Sequence, residues 1–140
     1  MEEHKTIRIG VGAVVFRGDE VLLIKRGKPP MLGMWSIPGG GLEYGETIKD
    51  GVIREVREET AVEIDLTGLI DVFEAIRSDE PHVPHTIMID YAANWRSGEP
   101  VAGDDAAAAE FVPIDEALKR LSWDETRRAV KMAAERRQFH

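Results

Sequence analysis

Gly39 to Val62 reads GGGLEYGETIKDGVIREVREETAV, a glycine loop running into one acidic helix. Thr47 is placed to cap the helix N-terminus, with Asp50 three residues on, close to a capping box. No proline interrupts Ile48 to Thr60. Ile48, Val52 and Val56 recur every four residues with Ile53 beside them, which makes one face apolar. At about 100° per residue, Glu55, Glu58 and Glu59 share an arc roughly 100° wide on the neighbouring face. Three carboxylates this close repel one another. A hard cation gives a reason to keep them there, because Mg²⁺ takes carboxylate oxygens and leaves positions for water and phosphate.

The rest of the composition agrees with such a site. The chain has 140 residues, a length expected to form one domain over 1–140 with an ordinary core. Net charge is −8, and residues 43–65 hold eight acids against three bases. That concentration argues against a nucleic-acid polymer as partner, which calls for a basic stripe. It suits a site that must take up a cation before an anionic small molecule can approach. There is no cysteine, hence no disulfide and no thiol chemistry. The N-terminal MEEHKTIRIG has no apolar signal region, and no run approaches 18 apolar residues. A soluble, cytoplasmic protein without membrane contact is expected, and a homodimer is compatible with the sequence.

Working outward, Ile7 to Phe16 and Val21 to Lys25 are two strand-like runs around the turn signal Arg17-Gly18-Asp19-Glu20, a hairpin. Lys25 and Arg26 end it, either as a solvated strand end or as phosphate contacts. Gly27 to Met34 is a loop, Trp35 to Ile37 a short strand, and Pro38 with Gly39, Gly40 and Gly41 breaks it. Three glycines permit close approach of a ligand, although no Walker-type Gly-Lys-Ser/Thr follows. After the helix, Val62 to Leu66 and Leu69 to Ile76 read as strands punctuated by Gly68. Ser78 to Pro84 is a loop. His85 to Trp95 is a strand, and His82 and His85 at its mouth read as loop or substrate-lining residues. Ala106 to Ala109 reads as a short helical turn, Glu110 to Pro113 as the last strand and Ile114 to Leu121 as a helix. Ser122 is a candidate cap for a final helix from Trp123 to about Arg137. Strands interleaved with a few helices predict an α/β fold, a mixed sheet covered on both faces. Gly51, mid-helix, predicts a close approach between the acidic helix and the sheet.

The Gly39–Val62 stretch also resembles the signature of the Nudix hydrolases: Gly, five residues, Glu, seven residues, Arg-Glu, an aliphatic, any residue, Glu-Glu, any residue, Gly, an aliphatic. Gly40, Glu46, Arg54, Glu55, Val56, Glu58, Glu59 and Val62 match, and Ala61 departs where the family has Gly. The preceding WSIPGG, Trp35 to Gly40, is also typical. The resemblance implies a Nudix-type α/β/α sandwich with a mixed β-sheet. It implies Mg²⁺-dependent hydrolysis of a pyrophosphate bond, with Mn²⁺ as a substitute ion. Glu55, Glu58 and Glu59 would hold metal together with a carbonyl of Gly39 or Gly40, and Arg54 would orient a catalytic glutamate. Glu46 is expected to brace the loop, and Glu43 to do either.

The general base stays open among Glu55, Glu58 and a carboxylate from a later loop. Close relatives have Glu where this chain has Ala108. Asp104, Asp105 and Glu110 stand nearby, and Asp105 is preferred because it lies in the loop. The substrate is expected to be a nucleoside diphosphate linked to another moiety, ADP-ribose-like, or a (d)NTP. The proline that ADP-ribose-cleaving members often carry about fifteen residues past the signature is absent; Arg77 stands there and Pro81 comes later. Trp35, Phe73 and Tyr91 are candidate base-stacking residues that also suit the core. Two other classes compete: a Nudix-fold module that senses a nucleotide without cleaving it, and a plain acidic structural domain. The intact arc of carboxylates favours the enzyme.

Overall fold

A computed structural model describes residues 6–29, 31–76, 84–103 and 105–137. Its elements are β1 (Arg8–Arg17), β2 (Glu20–Arg26), β3 (Trp35–Ser36), β4 (Gly39–Gly41), α1 (Ile48–Thr60), β5 (Glu63–Ala75), β6 (Thr86–Ser97), β7 (Ala106–Pro113), α2 (Ile114–Arg120) and α3 (Asp124–Arg137). The strands form one mixed sheet in the order β3-β2-β1-β6-β5, with β4 on β1 and β7 on β2. β1 is the hub. It turns back on β2 at Phe16 and Arg17, runs parallel to β6 from Arg8 to Phe16, and pairs antiparallel with β4 at Gly10 to Gly12.

β1 is apolar along nearly its whole length because both of its faces are covered. Val11, Ala13 and Val15 pack with Val52 and Val56 of α1 on one face. Val14 and Phe16 point to the other, against Ala129, Val130 and Ala133 of α3 and Ala117 of α2. The result is the expected α/β/α sandwich. No helix among the described residues is long and apolar enough to cross a membrane.

α1 starts where its cap chemistry places it: the Thr47 hydroxyl accepts from the Asp50 amide at 3.1 Å. Gly51 does make a close approach, but to the preceding loop rather than the sheet. A Cβ there would lie 2.7 Å from Leu42 Cδ1 and 3.0 Å from Glu46 Oε1. α3 begins at Asp124, and the Trp123 carbonyl accepts from the Arg127 amide, so Ser122 sits too early to cap it.

Three strand expectations need correction. Ala106 to Ala109 belong to β7, not to a helical turn: Ala109, Ala108 and Ala106 stand in register with Ile24, Lys25 and Arg26 of β2. Alanine has the highest helix propensity, but propensity is a weak prior that pairing along β2 outweighs, even with a register shift at Lys25/Arg26 that leaves Ala107 unpaired. Gly68 does not divide two strands. β5 is continuous and absorbs its irregularity as register shifts at Leu66/Gly68 and Leu69/Asp71. The glycines Gly39 to Gly41 form a short strand on β1 rather than a loop.

α1 ends at Ala61 in the left-handed region, φ 62° and ψ 15°, with its amide bonded to the Arg57 carbonyl. Glycine adopts that conformation without the Cβ penalty. Ala61→Gly is therefore expected to stabilise the fold by up to about 1 kcal/mol. Urea unfolding at neutral pH measures this, and an unchanged or lower midpoint would show that Ala61 is not strained.

Candidate active site

The site forms where α1 faces β4. Arg54 stands at its centre and uses its guanidinium fully. Nε and Nη2 donate to the two oxygens of Glu46 at 2.8 and 2.6 Å. Nη1 donates to Glu55 Oε1 at 2.8 Å and to Glu58 Oε2 at 3.1 Å, and Nη2 also donates to the Gly41 carbonyl at 3.1 Å. Glu43 lies 3.5 Å from Nη1. Glu46 is braced a second time by the Glu43 amide at 2.9 Å. Hydrogen bonding from Arg54 is the main reason its carboxyl is lowered to about 2, and Arg54 is raised in turn. The uncompensated repulsion expected within the acidic arc is thus partly met by a cation in its midst.

Glycine is required opposite this helix. A Cβ on Gly40 would lie 2.6 Å from the Glu55 carboxyl carbon, and one on Gly39 would collide with the backbone of Val11 and Gly12. The Gly39 amide donates to Glu59 Oε1 at 2.7 Å, and Glu59 is 8% exposed. The carboxylates therefore lie directly on a bare backbone. As the side chains stand, no three acidic or histidine groups among the described residues converge closely enough to enclose an ion.

β4 also borders a cavity of about 250 Å³ on the opposite, α3-bearing face of the sheet. Arg26 and Trp35 line it, beside Met34, Met88, Trp123 and Glu125. The Trp35 ring stands between Lys25 at 6.0 Å and Arg120 at 4.7 Å. Phe73 is core, 1% exposed beneath α3, and Tyr91 packs on the α1 side. Asp105 pairs with Lys28 at 2.7 Å on the surface, which holds its carboxyl below the usual range. Glu110 lies 3.4 Å from Arg120. The His85 carbonyl accepts from the Arg8 amide, and its buried Nε2 has no hydrogen-bond partner among the described residues. Arg77, Pro81, His82 and Asp104 lie outside the described residues.

Sequence reasoning missed Asp90. It is 3% exposed, borders the cavity, and burial pushes its carboxyl up to about 7. The signal was an acid inside the apolar run IMIDYAA at a position whose neighbours on the same face, Met88 and Ala92, are apolar. The wall of the cavity at the start of α3, Glu125 and Thr126 with the preceding Trp123, gave no comparable signal.

Fold and site together define a class, an α/β domain that sets the carboxylates of one helix against a strand of glycines. The family model of the NUDIX domain matches residues 6–133, and the chain belongs to that family. It is 34% identical to an ADP-ribose pyrophosphatase of Methanocaldococcus jannaschii over 83% of this chain and 67% of that protein. A MutT NUDIX hydrolase from Burkholderia pseudomallei superposes with a TM-score of 0.77 at 29% identity, covering 91% of this chain and 98% of that one. A bifunctional NMN adenylyltransferase/ADP-ribose pyrophosphatase from Francisella tularensis, complexed with AMP and a Mn ion, gives 0.75 at 26% identity over 96% of this chain and 43% of that one. The protein is a hydrolase, and its reaction is the hydrolysis of a pyrophosphate bond.

The Glu46–Arg54 pair makes stability depend on acid in a set direction. The folded-state value of Glu46 is about 2 against an ordinary 4.5, so its contribution is complete above pH 4.5 and fades as pH falls towards 2. Glu46→Gln is expected to melt below wild type at pH 6, with most of the gap gone by pH 2.5. Paired thermal melts across that range test this, and a constant gap would assign the loss to something other than the carboxylate charge.

Proposed function

We propose that the protein cleaves the pyrophosphate bond of a nucleoside diphosphate joined to a second moiety, ADP-ribose-like, or of a (d)NTP, with Mg²⁺ as its ion and Mn²⁺ as a substitute. One observation carries this reading. Gly39–Gly41 meet the Arg54-held carboxylates on one side and border the cavity on the other. A molecule with a charged middle and an apolar, ring-bearing end fits that arrangement.

Cleavage of a phosphoanhydride needs charge neutralisation, positioning and an activated water. Glu55, Glu58, Glu59 and a carbonyl of Gly39 or Gly40 would hold the ion, a hard oxygen set suited to Mg²⁺. The donor positions support this: Gly40 leaves Glu55 the space a side chain would take, and Glu58, 43% exposed, can exchange its Arg54 contact. When bound, the ion would offset charge developing on the phosphate oxygens and make a bound water more acidic. The chain's own residues do the rest. Glu46 fixes Arg54, and Arg54 orients Glu55 and Glu58. Lys25 and Arg26 offer charge to phosphate oxygens, and Trp35 offers a ring face. The proton of the attacking water goes to Glu55 or Glu58, or to Asp105 once it leaves Lys28.

Activity is expected to require a divalent ion and to rise towards alkaline pH, where the base is free. A panel of ADP-ribose, dinucleoside polyphosphates, nucleotide sugars and (d)NTPs with Mg²⁺, resolved by product, tests the reading; full turnover in excess chelator would end it. Glu58→Gln is expected to lower kcat by at least about 10²-fold. In chelator its melting temperature should stay near wild type, because the lost ion pair is worth only about 0.3–0.5 kcal/mol and repulsion from Glu55 and Glu59 is relieved. It should also gain less than wild type from saturating Mg²⁺. Preserved kcat would reduce Glu58 to a surface charge.

A further inference from the structure

The last four carbonyls of a helix have no further turn to bond and must find partners elsewhere. In α1 the Arg57 carbonyl takes the Ala61 amide at the cap. The next three belong to Glu58, Glu59 and Thr60, and the segment between β6 and β7 meets them. The Val101 amide donates to the Thr60 carbonyl at 2.9 Å, and the Gly103 amide donates to the Glu59 carbonyl at 2.9 Å. A Cβ on Gly103 would lie 2.4 Å from the Glu58 carbonyl oxygen, so a bare α-carbon is what lets the segment sit against the helix end. Gly103 is itself tied to the sheet, because its carbonyl accepts from the Ala106 amide at the start of β7 at 3.0 Å.

That last turn carries two of the carboxylates assigned to the ion. Glu59 is held at both ends: its carboxylate takes the Gly39 amide at 2.7 Å and its carbonyl takes the Gly103 amide. Glu58 has one carboxylate oxygen on Arg54 Nη1 and its carbonyl under Gly103. The turn has little rigidity of its own. Helix ends fray, and Ala61 holds a left-handed cap that glycine would take at less cost. We propose that Gly103 is a positioning residue of the ion site, setting through the Glu58–Glu59 backbone where those two carboxylates stand against the glycine strand β4. The inference rests on the metal reading above and adds the residue that stands behind the donors.

The chemistry of the ion makes this placement matter. Mg²⁺ holds its oxygens at about 2.0–2.1 Å in near-ideal octahedral geometry and tolerates little displacement. Ordinary contact begins at 3.4 Å, so a methyl group at 103 forces segment and helix apart by roughly 1 Å. Either the Glu59 carbonyl loses its amide or the turn follows the segment, and both outcomes move the two carboxylates relative to Gly39 and Gly40. Changing the groups that orient a metal's donors commonly costs about 10–100-fold in affinity.

Calorimetric titration of the substrate-free protein with Mg²⁺ tests this, on wild type, Gly103→Ala and Gly18→Ala. Gly18 lies in the β1–β2 turn at φ 61° with open space around it, so alanine there strains the backbone without touching α1 and controls for strain alone. Gly103→Ala should bind Mg²⁺ more weakly by at least about tenfold. Gly18→Ala should stay within about twofold of wild type. If Gly103→Ala does not fold, hydrogen exchange on wild type decides, because a contact that supports the ion must be supported by it in equal measure. Saturating Mg²⁺ should then slow the Gly103 and Val101 amides by at least about tenfold more than the Leu121 amide, which bonds the Ala117 carbonyl of α2. No uptake of Mg²⁺ by wild type defeats the metal reading itself. With uptake, an unchanged affinity in Gly103→Ala, an equal loss in Gly18→Ala, or equal slowing of the three amides overturns the Gly103 assignment alone.

Discussion

Arg54 spends all five N–H donors on the site: two on Glu46, one each on Glu55 and Glu58, and one on the Gly41 carbonyl. Without that guanidinium, a helix with acids at 55, 58 and 59 facing a loop with acids at 43 and 46 would keep only the amide bonds to Glu46 and Glu59 against the repulsion. With it, the carboxylates are gathered on one side of α1 and tied to β4. A planar fork suits this task where an ammonium would not, because the two parallel bonds to Glu46 fix the plane and leave the remaining donors aimed at α1. One cation among several anions still leaves the site short of positive charge. That shortage is the electrostatic demand a divalent ion and a phosphate-binding base would meet together.

The second dependence is steric. β4 consists of three glycines, and each position is needed at a different contact. Gly39 lies against the backbone of β1 and gives its amide to Glu59, Gly40 lies under the Glu55 carboxylate, and Gly41 lends its carbonyl to Arg54. The strand is also where the two faces of the sheet meet. The carboxylates lie on its α1 side, and the cavity with Asp90 lies on its α3 side. The acidic side chains and the cavity are thereby separated by a single strand.

Much of this was legible in the residues. The capped helix, its apolar stripe and its acidic arc follow from spacing alone, because 3.6-residue geometry brings residues three and four apart together whatever else the chain does. The β1–β2 hairpin follows from two β-branched runs about one turn. The left-handed end of α1 was visible at Ala61 from the glycine that the resembled signature places there. Where propensity and pairing disagreed, pairing won. Ala106 to Ala109 looked helical in isolation, yet β2 offered a ladder on which Ala106, Ala108 and Ala109 pair. Gly39 to Gly41 looked like a loop, yet β1 stands alongside with Gly10 and Gly12 to receive it.

By itself the sequence determined the capped acidic helix, the residue types on its arc and the family to which the chain belongs, because these depend on local periodicity and a fixed spacing. Only the tertiary structure decided which partners those residues meet. Arg54 turned out to serve Glu46, eight residues away across a loop, as much as its helical neighbours. Asp105, chosen for its place in the chain, is joined to Lys28. Asp90 came to the wall of the cavity only when β6 was laid parallel to β1, since strand register is a long-range choice made by the whole sheet and sets what a buried side chain faces.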